Sequence, residues 1–151
     1  MKKIVYIDMD NVMVDFPSGI AKLDDKTKRE YEGRYDEVEG IFSLMEPMPN
    51  AISAVHKLMK KYHIYVLSTA PWHNPSAWSD KVKWIQHYFG EEKGSALYKR
   101  LILSQHKNLN QGDYLIDDRT KNGAGKFQGE HVHFGTEQFA NKRSLKNDRE
   151  K

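Results

Sequence analysis

Five short apolar runs recur along this chain of 151 residues, and longer amphipathic stretches separate them. The runs cover residues 4–7, 64–67, 101–103, 114–116 and 131–134. Short strands that alternate with helical stretches are typical of an α/β domain whose sheet is mostly parallel. We therefore predict a doubly wound, mostly parallel sheet. The ligands of such sheets bind beyond the carboxyl ends of the strands.

Two stretches between the runs have the apolar spacing of amphipathic helices. The apolar stripe of the first, after Pro49, consists of Ile52, Val55, Leu58 and Met59. The stripe of the second consists of Trp78, Val82, Ile85 and Phe89. Gly90 is well placed to end the second helix. Each stripe is predicted to pack against the sheet.

The length of the chain fits one domain better than two. Residues 17–46 are polar and then more apolar, with no clear strand, and we predict that they form a small helical cap inserted after the first strand. The domain is expected to span residues 1–140, with this cap inside it. Residues 141–151 are almost wholly polar, and a frayed tail is expected there.

Composition excludes several classes of protein. The chain has no cysteine, which rules out a disulfide framework, a thiolate metal site and a cysteine nucleophile. The formal net charge is only +3, with both signs interspersed, which disfavours a polymer of nucleic acid as partner. The apolar run 4–7 is too short for a signal peptide, and no run approaches a membrane span. A cytoplasmic location is therefore expected, and the oligomeric state stays open.

The first apolar run leads directly into two acids, Asp8 and Asp10. Residues two apart on a strand lie on one face, roughly 7 Å from each other. Two carboxylates this close repel, and a chain keeps them together where a cation lies between them or where one holds a proton. An ordinary polar loop after a strand is the alternative interpretation.

The other strand ends carry further polar groups. Ser68 and Thr69 follow the second run, Lys107 follows the third, and Asp117 and Asp118 end the fourth. Each has an ordinary explanation, such as helix capping or a surface lysine. Together they indicate a site for magnesium and phosphate, because Mg²⁺ prefers oxygen ligands.

These motifs, in this order, resemble those of the haloacid dehalogenase superfamily of phosphohydrolases. The closer resemblance is to the 5'(3')-deoxyribonucleotidases. It rests on the segments DMDNVMVDF, EPMPNA, STAPW, WIQHYFG, LSQHK, LIDDR and EHVHF, which together extend over residues 4–134. The resemblance implies a haloacid dehalogenase-like core and a phosphatase activity.

For the reaction, the resemblance implies that Asp8 is the nucleophile that takes the phosphoryl group. Asp10 is then the acid that protonates the leaving oxygen and the base that activates water. Thr69 is the hydroxyl of the second motif, and Lys107 offsets the negative charge at the nucleophile.

The resemblance also implies a Mg²⁺ site. Its expected ligands are a side-chain oxygen of Asp8, the backbone carbonyl of Asp10 and the side chain of Asp118. Asp117 is expected to support this shell.

For the substrate, Lys81 matches a lysine that helps to hold phosphate, and Phe16 and Phe42 match positions near the nucleoside. Arg119, beside the acidic pair, is grouped with the substrate-binding residues, as are Thr69 and Lys107. The chain departs from the family pattern in its short cap, which lacks a tryptophan pair over the base, and in Ala70, which replaces a second hydroxyl.

Some other features receive a plainer interpretation. His131 and His133 share a face and could chelate a metal, but they belong to the last predicted strand. The segment NGAGKF lacks the spacing of a phosphate loop and is interpreted as a turn. The remaining candidates are Trp72, Trp78 and Trp84. Packing is expected for the last two, whereas the first lies in a loop near the predicted site and its role stays open.

The leading hypothesis is a Mg²⁺-dependent phosphatase that acts on nucleoside monophosphates. A broad phosphatase for other small esters, such as sugar phosphates, is the alternative among enzymes. A receiver domain would need its phosphoacceptor on a middle strand, where the chain offers Ser104 instead of an acid. A catalytically silent binding protein on the same fold is the third class.

Overall fold

The computed structural model of the protein describes residues 1–135. Its strands are β1 (Ile4–Ile7), β2 (Val14–Asp15), β3 (Glu46–Pro47), β4 (His63–Ser68), β5 (Leu101–Leu103), β6 (Tyr114–Asp117) and β7 (Glu130–His133). Its α-helices are α1 (Phe16–Ile20), α2 (Asp25–Glu30), α3 (Ala51–Leu58) and α4 (Pro75–Phe89). Short 3₁₀ helices cover Tyr35–Glu37, Ile41–Leu44, Lys107–Leu109 and Ala124–Lys126. The tail predicted for residues 141–151 lies outside the described residues.

Five strands form one parallel sheet in the order β5-β4-β1-β6-β7. β1 is central, because Val5 pairs with Ile64 of β4 on one side and with Tyr114 of β6 on the other. The predicted mostly parallel sheet is confirmed, and the bounds of its strands differ from the predicted runs by one residue at most. Since all five strands are parallel, their carboxyl ends lie at one edge.

The core lies on both faces of this sheet. Val5 and Ile7 point into the larger apolar cluster, whereas Tyr6 points into a smaller one on the other face, because side chains alternate along a strand. The larger cluster includes residues of α3 and α4. The smaller one comprises Tyr6, Leu67, Leu115, Ala124 and Phe127. The sheet is therefore a rigid platform for the side chains that follow its strands.

Helix α4 buries a different stripe from the one that the spacing predicts. Val82 is 40% exposed, so its predicted place on the buried face is wrong. Trp84 is buried instead, because the larger indole removes more apolar area from water and its Nε1 donates to the Met45 carbonyl at 3.0 Å. Lys81 also lies on the buried face. Gly90 ends the helix as predicted.

Between β1 and α3, the short strands β2 and β3 pair as a two-stranded antiparallel sheet. Val14 pairs with Pro47, and Asp15 pairs with Glu46. The sequence predicted no strand within residues 17–46, and for Glu46 this prediction is wrong. A strand of two residues is too short to show the alternation of apolar and polar residues by which strands are predicted. We call residues 16–47 the insertion. Within residues 1–135, no helix is both long and apolar enough to cross a membrane.

Candidate active site

Acidic side chains meet at the carboxyl edge of the sheet. Asp8 directly follows β1 and is buried, Asp117 is the last residue of β6, and Asp118 comes next. One oxygen of Asp8, one of Asp117 and one of Asp118 all lie within 4.8 Å of one another. Neighbouring parallel strands bring these residues together although more than a hundred positions separate them in the chain.

Lys107 connects two of these acids. Its Nζ lies 3.0 Å from Oδ1 of Asp8 and 2.6 Å from Oδ2 of Asp117, and the lysine is 3% exposed. Burial by itself lowers the pKa of Lys107, but the two carboxylates outweigh burial and raise the pKa above its usual value. The lysine therefore stays charged. The other oxygen of Asp117 accepts a bond from the backbone N–H of Arg119 at 3.0 Å, so both its oxygens are engaged.

The turn that begins the segment NGAGKF holds Lys107 in place. The backbone N–H of Lys107 donates to the carbonyl of Asn122 at 2.8 Å. The next residue, Gly123, has a φ of +84°, and a Cβ there would lie 2.9 Å from the backbone nitrogen of Lys107. The segment NGAGKF is a turn, as predicted, that continues into the short 3₁₀ helix Ala124–Lys126, but its contact with Lys107 was missed. The glycine was a signal of a tight turn or a close backbone approach, yet nothing in the sequence shows which residues pack against it.

The charge balance at Asp8 favours a cation. Burial raises the pKa of Asp8 well above its usual range; Lys107 opposes this rise, and Asp117 and Asp10 add to it. Burial also raises the pKa of Asp118. Lys81 opposes the rise at Asp8 as well, and the two buried lysines together do not offset the burial of Asp8 and the acids around it. A divalent cation would stabilise their ionised forms.

The donor atoms fit a hard cation. In the described part of the chain, Oδ1 of Asp10 and Oδ1 of Asp118 are the buried side-chain atoms that have no hydrogen-bond partner. Buried polar atoms normally have one, so Oδ1 of Asp118 fits a metal ligand, whereas the ligand expected from Asp10 is its backbone carbonyl. All the candidate ligands, two carboxylates and one backbone carbonyl, are oxygen atoms, which suits Mg²⁺. The structure thus brings together all four predicted metal residues, Asp8, Asp10, Asp117 and Asp118, whereas their roles as ligands stay predictions.

Lys81 contacts Asp10 of the site from within the protein core. Its side chain is fully buried, with Nζ 3.1 Å from Oδ2 of Asp10 and 2.8 Å from Oγ of Ser68. The same Nζ lies 4.4 Å from the ring centroid of Phe42, within range of a cation–π contact. Lys81 does not line the pocket described below. The sequence predicted a phosphate contact, and the ion pair with Asp10 was not foreseen.

An open pocket of about 630 Å³ lies next to the acids. Of the predicted substrate-binding residues, those that line it are Phe16, Phe42, Thr69 and Arg119. The rings of Phe16 and Phe42 meet edge to face, with centroids 5.9 Å apart. The hydroxyl of Thr69 donates to the carbonyl of Ser104 at 2.7 Å, which orients it at the pocket wall. Asp10 and Asp118 line the same pocket, so a ligand in it would reach the acids.

The two histidines of β7 contact the acidic pair through its backbone. Nε2 of His131 lies 3.2 Å from the carbonyl oxygen of Asp117, and Nε2 of His133 lies 3.0 Å from that of Asp118. Their rings are stacked, with centroids 5.2 Å apart. These bonds restrain the backbone that carries Asp118, a contribution that the sequence analysis missed.

The fold and the acidic site define a class of proteins. The structure is similar to that of a haloacid dehalogenase-like hydrolase of Streptococcus pneumoniae, with a TM-score of 0.53, 15% identity and coverage of 97% of this chain and 90% of that one. It is also similar to a provisionally assigned haloacid dehalogenase hydrolase of Bacillus subtilis bound to magnesium, with a TM-score of 0.52, 12% identity and coverage of 93% and 90%. The fold is therefore that of the haloacid dehalogenase superfamily.

The particular family follows from sequence comparison. Residues 25–146 match the family model described as 5' nucleotidase, deoxy (pyrimidine), cytosolic type C. A protein of Vibrio phage KVP40, provisionally named a 5'(3')-deoxyribonucleotidase, is 62% identical over 138 residues, which is 91% of this chain and 79% of that protein. The 5'(3')-deoxyribonucleotidase of Bacillus subtilis is 28% identical over 153 aligned positions, covering 89% of this chain and 86% of that protein.

The chain belongs to this nucleotidase family. The family that the motifs indicated is confirmed, and so is the prediction of a hydrolase that acts on phosphoric monoesters. A receiver domain is excluded by the same match.

Proposed function

We propose that this protein is a Mg²⁺-dependent 5'(3')-deoxyribonucleotidase that releases phosphate from nucleoside monophosphates through an aspartyl-phosphate on Asp8. The observation that carries the proposal is the position of Asp8, which is buried at the end of the central strand with Lys107 at 3.0 Å. Membership of the nucleotidase family supports the choice of substrate.

In the first step, a carboxylate oxygen of Asp8 attacks phosphorus, and the bond from phosphorus to the nucleoside oxygen breaks. An anion attacks a phosphate dianion only if nearby positive charge offsets their repulsion. The ammonium of Lys107 supplies part of that charge and, held by Asp117, it stays beside Asp8.

Asp10 transfers the proton in each of the two steps. In its protonated form it donates to the leaving nucleoside oxygen, and as a carboxylate it then takes a proton from the water that attacks the aspartyl-phosphate. That water forms a bond to phosphorus while the bond from Asp8 breaks, which frees inorganic phosphate and restores Asp8. Nζ of Lys81, 3.1 Å from Oδ2, donates to the Asp10 side chain in both forms, as a hydrogen bond to the acid and as an ion pair with the carboxylate, and so holds one orientation for both transfers.

The residues that would hold Mg²⁺ are Asp8 and Asp118 through their side chains and Asp10 through its backbone carbonyl, which leaves the Asp10 carboxyl to transfer protons. When bound, the ion would supply positive charge to the phosphate oxygens in the transition state. Asp117 has both oxygens engaged by Lys107 and the backbone of Arg119, so its part is to hold the lysine and the loop.

The pocket would hold the rest of the substrate. Its volume of about 630 Å³ lies within the usual range of small-molecule sites. Arg119 lines it beside Asp118 and suits the phosphate. Thr69 would contact the phosphate by turning its hydroxyl away from the Ser104 carbonyl. Phe16 and Phe42, by contrast, suit an apolar sugar edge. In this proposal the insertion acts as the small cap of the domain, since it contributes Phe16, Phe42 and the segment around Tyr35 to the wall.

A broader phosphatase for sugar phosphates is the second candidate. The presence of Ala70 in the pocket wall favours it, because an alanine offers no hydroxyl to select a particular phosphate ester.

The test is phosphate release by the purified protein from deoxyribonucleotides, ribonucleotides and sugar phosphates, with and without Mg²⁺. We expect deoxyribonucleoside monophosphates to be preferred, chelation of Mg²⁺ to abolish turnover, and Asp8→Asn to remove activity without unfolding the chain. Asp80→Asn, which makes the same change on α4 outside the pocket, is the matched control and should keep full activity. Activity in Asp8→Asn would overturn the mechanism. Equal rates on all esters would replace the nucleotidase with the broader phosphatase.

A further inference from the structure

Trp72 is a large aromatic residue that the proposed mechanism does not use. It lies in the loop between β4 and α4, the residue is 75% exposed, and it lines the pocket. The other large apolar side chains exposed among residues 1–135 are Met1, Val82 and Leu109, and none of them lines this pocket. An indole left in water forgoes the stabilisation that burial would give. Trp72 is therefore placed to gain stabilisation by contact with a ligand in the pocket.

The backbone around Trp72 is held firmly. The carbonyl of Ala70 accepts a bond from Nε2 of Gln105 at 2.9 Å. The carbonyl of Pro71 accepts bonds from the backbone N–H of Asn74 at 3.2 Å and from Nε1 of Trp78 at 3.4 Å. These hydrogen bonds restrain the loop in a conformation that exposes the indole to solvent.

The same loop is tied to the insertion. Asn74 is 3% exposed, and its side-chain amide donates to the carbonyls of Asp36 at 2.8 Å and Val38 at 2.9 Å. Tyr35 and Asp36 of the insertion line the same pocket as Trp72. One buried amide therefore holds two parts of the pocket wall in a defined relation, which lowers the conformational cost of binding a ligand between them.

The ring of Phe42 offers little surface to a ligand. Phe42 is 3% exposed, and its ring is covered by Phe16 and by the ammonium of Lys81. Phe16 and Tyr35 line the pocket half-buried, so Trp72 is the most exposed of the aromatic residues that line it. Planar heteroaromatic rings stack on exposed aromatic faces with little regard to their hydrogen-bonding pattern.

We propose that Trp72 is the residue on which the nucleobase of the substrate stacks. The inference rests on the proposed function and adds to it a specificity-determining residue. It implies that the base is held by the rigid loop after β4, and that selection is for a base of any kind over a bare sugar phosphate.

The kinetic test compares thymidine 5'-monophosphate with 2-deoxyribose 5-phosphate, which is the same ester without the base. In Trp72→Ala we expect the KM for the nucleotide to rise about tenfold, since stacking on an aromatic side chain is worth that much or more, while kcat changes little. The values for 2-deoxyribose 5-phosphate should not change. Trp72→Phe, which keeps an aromatic face, should restore most of the nucleotide KM. Leu109→Ala is the matched control, because it removes an equally exposed apolar side chain outside the pocket.

A binding measurement separates this inference from the proposed function. Indole fluorescence is followed while thymidine 5'-monophosphate is added to Asp8→Asn protein, which should bind without turnover. We expect a change that is absent with 2-deoxyribose 5-phosphate and absent in the double variant Asp8→Asn, Trp72→Phe. If the wild type hydrolyses no ester but this change occurs, the proposed function fails and the stacking inference stands. An unchanged nucleotide KM in Trp72→Ala, an equal loss on both esters, or no fluorescence change would each overturn the inference.

Discussion

The ammonium of Lys81 lies 3.1 Å from Oδ2 of Asp10, and this ion pair connects the buried face of α4 to the acidic end of β1. The lysine side chain is completely shielded from water, whereas the Asp10 side chain is 21% exposed and faces the pocket. A buried lysine needs such a partner, because an unpaired ammonium in the core is strongly destabilising. Lys81 is therefore placed to orient Asp10 from behind.

Lys81→Met should lower kcat by about 100-fold, because Asp10 loses the charge that orients it for proton transfer. The free energy of unfolding should fall by about 1–3 kcal/mol, since Oγ of Ser68 and Oδ2 of Asp10 lose a buried partner. Steady-state kinetics and thermal unfolding measure the two effects. Lys83→Met, an exposed lysine on the same helix, is the control and should change neither. A rise in KM at constant kcat would contradict this role and favour the direct phosphate contact that the sequence predicts.

Asp117 and Asp118 are adjacent in sequence but should respond differently to the same substitution. Asp118→Asn should abolish the thermal stabilisation by Mg²⁺, which for a site saturated at 100 times its Kd is about 2.7 kcal/mol. Without Mg²⁺ the variant should be at least as stable as the wild type, since a buried oxygen without a partner loses its charge.

Asp117→Asn should instead destabilise the protein without any metal, by about 3 kcal/mol, because it breaks the buried ion pair with Lys107 at 2.6 Å. Thermal unfolding of both variants with Mg²⁺ and with a chelator measures these effects, so each variant serves as the control for the other. Identical behaviour of the two would contradict the division of roles between them.

Gly123→Ala should reduce activity through Lys107. The new Cβ would lie 2.9 Å from the backbone nitrogens of Lys107 and Asn108, so the short helix that carries the lysine must shift. Gly94→Ala is the matched control: its φ of +99° is also left-handed, and no atom in the described residues lies within 4 Å of the new Cβ.

Both alanine variants should lose about 1 kcal/mol of stability or more for the unfavourable backbone conformation. In Gly123→Ala alone, kcat/KM should also fall, by about tenfold or more, because a small displacement of a catalytic group is costly. Equal kcat/KM values in the two variants would show that the turn does not position Lys107.

Asp24 caps the N-terminus of α2 and gives a pH-dependent contribution. Its carboxylate accepts a bond from the backbone N–H of Thr27 at 2.7 Å, which lowers the pKa of Asp24. Because the folded pKa lies below the unfolded one, the contribution is fully present above about pH 4, the ordinary carboxyl value, and is lost as the pH falls through the lowered pKa.

The amide chemical shift of Thr27 should therefore titrate in acid in the wild type. In Asp24→Asn, which keeps a capping oxygen without a charge, this titration should disappear. Asp25→Asn makes the same charge change one residue further on and should keep it. A Thr27 titration that persists in Asp24→Asn would contradict the assignment of the cap.

The sheet was predictable because four of its five strands contain an apolar run of the right length, and β7 alternates histidine with apolar residues. The acids that follow β1 and β6 were predictable as a cluster for a related reason, since parallel strands end at one edge. The stripe of α4 was only partly predictable, because the spacing that includes Val82 is as regular as the one that includes Trp84, and the bond from the indole to Met45 selects between them. The strand pair of Asp15 and Glu46 has no period to detect.

The sequence by itself determined the class of fold, the family and the acids and lysine that the structure places at the carboxyl edge of the sheet, because these depend on local spacing and on residue types. Tertiary structure alone decided which partners those residues have. It placed Lys81 behind Asp10, engaged both oxygens of Asp117, and presented Trp72 to the pocket from a restrained loop. Contacts of this kind join residues far apart in the chain, and their geometry depends on how the elements pack, which no local pattern encodes.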